Sequence, residues 1–226
     1  MSGDADRALV VLSGGQDSTT CLYWALDRFG RGNVSTITFD YGQKHRVELG
    51  CAREVAALAG VSNVCLPIDT FAALGGDALT DASIAVSDEK DDETELPVTF
   101  VPGRNLIFLT FAAAHAYRHD IRHLVTGVAQ TDYSGYPDCR EDTIAAVQKA
   151  ITLGMDREFT VHTPLMHRSK KETVELAVLL GGLEAMALTH TCYNGCRPPC
   201  GECEACRLRA KGFAEAGVRD PLLDAR

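Results

Sequence analysis

Two stretches of this chain carry residue types at spacings that do chemistry. The first is Ser13-Gly14-Gly15-Gln16-Asp17-Ser18, which follows five apolar residues, Ala8 to Leu12, and precedes an apolar-periodic run. That order reads as a buried strand, a tight glycine turn and a helix start. Glycines let backbone N–H groups converge on an anion, and a helix N-terminus adds roughly half a positive charge there. Phosphate is the guest that such a turn suits. The turn is neither a Walker loop nor a dinucleotide fingerprint, because it lacks both glycine spacings. The second stretch holds Cys192, Cys196, Cys200, Cys203 and Cys206. Thiolates at i and i+3 grip one metal ion, and Cys200, Cys203 and Cys206 provide that spacing twice. A fourth sulfur comes from Cys192 or Cys196. Four sulfurs with no open position make a structural zinc site. Iron–sulfur clusters use similar runs, and zinc is the expectation here.

Length and charge narrow the setting. The chain has 226 residues, enough for one α/β domain with a generous core. Its formal charge is −9, whereas nucleic-acid binders show a basic footprint, so no nucleic-acid partner is expected. No apolar run approaches the length of a membrane span, and the polar start MSGDADR predicts no signal peptide. Nine cysteines cannot close into a complete disulfide framework, which points to a reducing cytoplasm.

The elements that must position these groups alternate strand and helix. Strands are expected at about 8–12, from Val34 to Phe39, from Asn63 to Ile68 and from His123 to Val128. Helices are expected from Asp17 to about Phe29, at about 44–59 with Val47, Cys51, Val55 and Leu58 buried, and over LIFLTFAAAHAY with Asn105 as cap. Further helices fall near 141–153 and 169–180, where Ser169-x-x-Glu172 has the form of a capping box. A short helix ends the chain. His115 reads as a core histidine, and Cys21, Cys51 and Cys65 as small core residues. The run of six acidic residues within 87–97 reads as a solvated loop. The pattern predicts a Rossmann-like α/β fold, a parallel sheet with helices on both faces, plus a small C-terminal zinc-binding helical element. Ligands then sit beyond the strand C-termini. Residues 13–18, 40–45 and 127–140 all fall there, so three segments converge on one crevice.

The wording Ser-Gly-Gly-x-Asp-Ser is similar to the pyrophosphate loop of the PP-loop ATP pyrophosphatases, which adenylate a carbonyl oxygen and release pyrophosphate. With a cysteine-rich C-terminus, the chain resembles the 7-cyano-7-deazaguanine synthase family, which serves queuosine biosynthesis. SGGQDSTTCL at 13–22, FDYGQKH at 39–45, VPGRN at 101–105, TDYSGYPDCR at 131–140, TPLMHRSKKET at 163–173, TCYNG at 191–195 and CGECEACRLR at 200–209 carry the resemblance across nearly the whole chain. It implies a HUP-type ATP-binding domain over residues 1–190 and a four-cysteine zinc segment over 191–226. It also implies a cytoplasmic homodimer that turns 7-carboxy-7-deazaguanine, ammonia and ATP into the nitrile. The chain is too short to add a glutaminase domain, so free ammonia is the donor. Cys192 is preferred to Cys196 as fourth zinc ligand.

Roles follow by position within that resemblance. The ATP site spans Leu12, Ser13, Gly14, Gly15, Gln16 and Asp17, and continues through Ser18, Thr19, Thr20, Cys21 and Leu22. The amides of Gly14, Gly15 and Gln16, with the Ser13 and Ser18 hydroxyls, hold phosphates. Asp17 fixes the loop or holds Mg²⁺, Lys170 neutralises departing pyrophosphate, and Arg104 pairs with the substrate carboxylate. Asp132 and Asp138 accept from the guanine-like edge, while Tyr133 or Tyr136 stacks on the ring. Asp40, Tyr41, Gln43 and His45 line the same pocket. Structural roles compete: a capping carboxylate for Asp17, a solvated lysine for Lys170, a surface arginine for Arg104, and for 131–140 a loop that satisfies its own backbone. A tRNA-thiolating PP-loop enzyme is the alternative function; it would need a basic face, and the charge opposes it.

Overall fold

The structure is a computed structural model, and it describes residues 6–44, 46–81, 83–84, 86, 96–130 and 136–224. Among the described residues, five strands form one parallel sheet: β1 (Ala8–Val11), β2 (Val34–Asp40), β3 (Asn63–Pro67), β4 (His123–Val125) and β5 (Thr160–His162). Their order is β3-β2-β1-β4-β5. Parallel neighbours need crossovers, and helices supply them: α1 (Gln16–Phe29), α2 (Val47–Ala59), a five-residue α3 (Thr70–Leu74), α4 (Arg104–Arg118), α5 (Glu141–Met155), α6 (Lys170–Leu179) and α7 (Glu204–Ala216).

Alternation along β1 feeds two cores. Leu9 packs with α4 and α5 through Leu109, Ala112, Ile144 and Val147. Ala8 and Val10 face the other way, toward Leu22 of α1, Val55 of α2 and Leu176 of α6. Ala8, Leu9 and Val10 are fully buried, as expected for a central strand covered on both sides. The expected α/β architecture is present. The chain runs outward from β1 through β2 to β3, then crosses to β4 on the other flank of β1. That reversal places a ligand crevice beyond the C-terminal ends of β1 and β4.

Several expectations are corrected in detail. Thr160–His162 forms a fifth strand that the sequence pattern did not mark. The cap of α4 is Gly103, in the left-handed region at φ 73°, and Asn105 lies inside the first turn. In α2 the buried face is Cys51, Ala52, Val55, Ala56 and Ala59, while Leu58 is exposed. Cys65 is exposed rather than core. His115 is half-buried beside His119, with ring centroids 4.3 Å apart. The acidic run at 88–95 lies outside the described residues. The capping box of α6 forms, with Ser169 accepting from the Glu172 N–H and Glu172 accepting from the Ser169 N–H.

Candidate ATP and metal sites

The glycine turn holds its shape through its serines and one close approach. Ser18 Oγ accepts from the Ser13 N–H at 3.2 Å, meets Ser13 Oγ at 3.0 Å and donates to the Gly15 carbonyl at 3.2 Å. Gly14 has φ 89°, and a Cβ there would stand 2.4 Å from the Glu48 carbonyl oxygen and 2.7 Å from the Ala52 nitrogen. Glycine is required both for the backbone conformation and for the contact with α2. Gly15 caps α1 with no side-chain hydrogen bond. The first-turn N–H groups, which have no partners within a helix, therefore open toward the crevice. Gly127, just beyond β4, lets this turn settle on the sheet: a Cβ there would lie 3.1 Å from the Ser18 nitrogen.

One cleft joins this turn to an aromatic end. Leu12, Ser13, Gly15, Gln16, Asp17 and Ser18 line it, as do Tyr41, Arg104, Phe108, Tyr136 and Lys170. Lys170 Nζ donates to Asp17 Oδ2 at 2.6 Å, and both side chains are largely buried. Asp17 Oδ1 is buried with no hydrogen-bond partner. An acceptor left bare beside a phosphate turn suits a bound cation or donor, because an unmet buried acceptor costs about 1–3 kcal/mol.

At the aromatic end, the Arg104 guanidinium lies 5.9 Å from the Tyr41 ring centroid and 6.0 Å from that of Tyr136. It also donates to the Tyr41 hydroxyl at 3.4 Å. Burial works against the Arg104 charge, but the surrounding Tyr41, Tyr136 and Asp138 oxygens outweigh it and raise the pKa. Burial pushes the Tyr41 phenol up to about 12, so it stays neutral. The tyrosines are packed and held: Tyr41 meets Phe108 edge-on at 5.3 Å, and Tyr136 OH lies 2.6 Å from Thr99 Oγ1. A fixed cation between two flat rings is a place for a planar anion.

Other expected site residues are placed elsewhere. Thr19, Thr20, Cys21 and Leu22 are fully buried and pack back into the fold, where Cys21 Sγ donates to the Thr126 carbonyl at 3.6 Å. Gln43 is occupied by its own loop: Oε1 accepts from the Tyr41 N–H at 2.8 Å, and Nε2 donates to the Phe39 carbonyl and to Glu48. Asp40 pairs with Arg46. Asp138 is buried and accepts from the Asn105 N–H at 3.0 Å, so it braces the first turn of α4 beneath Arg104. His45, Asp132 and Tyr133 lie outside the described residues. The sequence reading missed Glu48, Phe108, His190, Tyr193, Glu204 and Arg209, all of which line the cleft. Tyr193 and Glu204 sit inside TCYNG and CGECEACRLR, segments read for their cysteines alone.

The metal site is built next door. The sulfurs of Cys192, Cys200, Cys203 and Cys206 all lie within 4.8 Å of one another. Cys200 and Cys206 sulfurs are 3.9 Å apart, close to the roughly 3.8 Å edge of a tetrahedron with Zn–S bonds of about 2.3 Å. Cys192 completes the group, while Cys196 is exposed and stands outside it. N–H groups of Cys203 and Glu202 donate to Cys200 Sγ at 3.4 Å and pull its thiol down to about 6. Four convergent sulfurs with backbone donors fit a closed thiolate site for a metal ion.

Two links bind this segment to the phosphate turn. The His190 N–H donates to the Gly14 carbonyl at 2.9 Å. Arg209, almost fully buried, donates to both Asp220 oxygens at 2.6 and 2.8 Å, to the Thr189 and Thr191 hydroxyls, and to the Met186 carbonyl. Those five bonds use all its donors and tie α7 to the strand of chain that carries His190 and Cys192.

Sheet order and glycine turn define an α/β nucleotide-binding protein of the PP-loop class. The family described as queuosine biosynthesis protein QueC matches residues 7–217. A 7-cyano-7-deazaguanine synthase of Chromobacterium violaceum is 69% identical over 219 residues, covering 97% of this chain and 94% of that protein. One from Laribacter hongkongensis is 64% identical, covering 98% and 96%. The chain belongs to the QueC family. Among solved structures, a "predicted subunit of tRNA methyltransferase" from Methanocaldococcus jannaschii matches with a TM-score of 0.49 and 18% identity, over 76% of this chain and 74% of that one. That likeness is too slight to bear on fold or function. Among the described residues, no helix is long and apolar enough to cross a membrane.

Proposed function

We propose that the chain is an ATP-dependent carbon–nitrogen ligase that converts 7-carboxy-7-deazaguanine and ammonia to 7-cyano-7-deazaguanine in queuosine biosynthesis. The observation that carries the reading is the single cleft joining the phosphate turn, with its Lys170–Asp17 pair, to Arg104 between two tyrosines.

The chemistry needs that arrangement. A carboxylate oxygen is a poor leaving group, so ammonia cannot displace it at neutral pH. Transfer of AMP to that oxygen, with loss of pyrophosphate, creates a good leaving group; ammonia then forms the C–N bond as AMP departs, and the new nitrogen gives one proton to solvent. A second ATP adenylates the amide oxygen, again with loss of pyrophosphate; the oxygen leaves with AMP and the nitrogen gives up its two protons as the nitrile closes. The first-turn amides of α1, with Ser13 and Ser18, hold the phosphates. Lys170 meets charge that grows on the leaving pyrophosphate. Arg104 pairs with the substrate carboxylate, and Tyr41 and Tyr136 flank the ring. Asp17, with one oxygen unpartnered, is the residue that would hold Mg²⁺ accompanying ATP. Asp132, Tyr133 and His45 complete the base pocket in this reading.

The four sulfurs favour zinc, and the ion would supply fold stability and no step of the reaction. Residues 1–190 then act as the ATP-binding unit and 191–226 as a zinc segment packed on it. Nine free cysteines fit a reducing cytoplasm. Phe111, Tyr117 and Leu153 stand exposed on α4 and α5, which supports pairing of two copies; sedimentation equilibrium reads the mass.

The test is direct. Incubation with 7-carboxy-7-deazaguanine, ammonium, Mg²⁺ and ATP yields the nitrile by mass, with AMP rather than ADP as coproduct. Absence of nitrile from folded, metal-loaded protein rejects the reading.

A further inference from the structure

The sulfur site has a fifth thiol at its rim. The chain turns back tightly after Cys192: the Gly195 N–H donates to the Cys192 carbonyl at 3.0 Å, with Gly195 at φ 68°. Cys196 follows this turn, and its thiol is hydrogen-bonded to Cys192. Asn194, within the turn, joins Cys196 to the cluster. Its Nδ2 donates to Cys200 Sγ at 3.6 Å, and its carbonyl accepts from Cys196 Sγ at 3.8 Å.

The five sulfurs differ in access. Cys192 is fully buried, and Cys203 and Cys206 are nearly so. Cys200 is half-buried, and Cys196 is exposed. Four sulfurs around one ion leave no open position. An ion therefore enters or leaves by exchange of ligands, in which a new sulfur bonds as an old one lets go. Cys196 is the exposed thiol in contact with a buried ligand.

We propose that Cys196 is a reserve ligand of the metal site, standing in for Cys192 while an ion enters or leaves. This rests on the reading above, in which four cysteines hold zinc. A thiolate is the form that binds metal. On loading, the ion bonds to the Cys196 sulfur, whose proton goes to solvent. The bond to Cys192 then forms with loss of the Cys192 proton, while the bond to Cys196 breaks and that sulfur takes a proton back from solvent. Release runs the same steps in reverse. Sequence spacing admits either Cys192 or Cys196 as the fourth ligand, and on this proposal each serves at a different moment.

The test starts with Cys196→Ser, compared with wild type in the transfer of zinc to a chromophoric chelator and back. Both proteins hold one ion per chain at equilibrium, and the variant transfers it about tenfold or more slowly in each direction. Transfer at the wild-type rate overturns the proposal. A second set of variants needs no kinetics. Cobalt(II) added to metal-free protein reports its thiolate ligands through the intensity of the sulfur charge-transfer band. Cys192→Ser keeps the wild-type intensity through Cys196, and adding Cys196→Ser to it removes that fourth thiolate. A Cys192→Ser band no stronger than that of the double variant overturns the proposal as well. Wild-type protein that binds neither zinc nor cobalt overturns the metal reading itself, a result distinct from both.

Discussion

Lys170 Nζ donates to Asp17 Oδ2 at 2.6 Å across 153 residues of sequence. The first residue of α6 is thereby fastened to the first turn of α1, beside the phosphate turn. Neither side chain is a solvated surface charge, since they are 17% and 27% exposed. Lys170→Ala lowers nitrile turnover by about 10²–10³, the scale of losing one charge-stabilising donor. Asp17→Ala does the same. Metal content by atomic absorption stays at the wild-type level in both, because neither touches the four cysteines. Persisting turnover in either variant places the ATP chemistry elsewhere.

Gly14→Ala acts through shape alone. Its Cβ would collide with the backbone of α2, and its φ lies in the left-handed region. Strain of at least about 1–3 kcal/mol is expected. ATP binding by calorimetry is lost, and Tm falls. Gly15→Ala, whose Cβ meets ordinary contacts at 3.4 and 3.5 Å, keeps Tm within a few degrees. Equal Tm losses in the two variants contradict this account.

Removing one ligand of the sulfur site reaches the phosphate turn. Cys206→Ser, or prolonged chelation, loosens the segment from His190 to Cys206, and with it the bond from the His190 N–H to the Gly14 carbonyl. Bound metal falls from one per chain, and affinity for ATP falls with it. Small zinc peptides draw about 10–16 kcal/mol of folding free energy from their metal. ATP affinity that survives complete metal loss separates the two sites.

Arg209 and Asp220 form a buried bidentate pair, 4% and 7% exposed. Asp220→Asn leaves the guanidinium charge buried without its counterion, at a cost of about 3–5 kcal/mol. Thermal denaturation shows Tm lower by roughly 10 °C. Arg209→Lys fails to restore it, because an ammonium cannot make the forked contact.

His162 gives the fold an acid-sensitive edge. Its ring lies 3.0 Å from His123, and burial, then His123 and Arg28, hold its pKa down to about 4. The ordinary value is near 6.5. Between these values the unfolded chain binds the proton and the folded one does not, so stability falls as pH drops from about 6.5 to about 4. A His162→Gln variant flattens the dependence of Tm on pH in that window. An unaltered slope removes His162 as its source.

How much of this was legible depended on range. The turn at 13–18 was legible because strand, glycines and helix are contiguous. The sulfur site was legible because i, i+3 spacing itself sets the geometry. β5 was not, because Thr160-Val161-His162 is three residues with one aliphatic, too short to display a period. Asp138 reads as a binding carboxylate in its loop; its partner, the Asn105 N–H, lies 33 residues earlier. Glu48 and Glu204 reach the cleft through packing of α2 and α7, and Tyr193 through the loop that follows Cys192. No local pattern marks such positions.

The contact of Gly212 with Lys170 sets an order in time. A Cβ on Gly212 would lie 2.9 Å from Lys170 Cβ and 3.0 Å from its carbonyl oxygen, so α7 presses against the root of the lysine that serves the phosphate turn. A ribosome makes residues 13–18 early and residues 170, 190, 209 and 220 late. Until α7 has emerged and docked, the nascent chain carries a glycine turn whose lysine, braced backbone and neighbouring sulfur cluster are still missing. In the function proposed above, the ATP site is therefore complete only once the last elements of the chain have been made and docked.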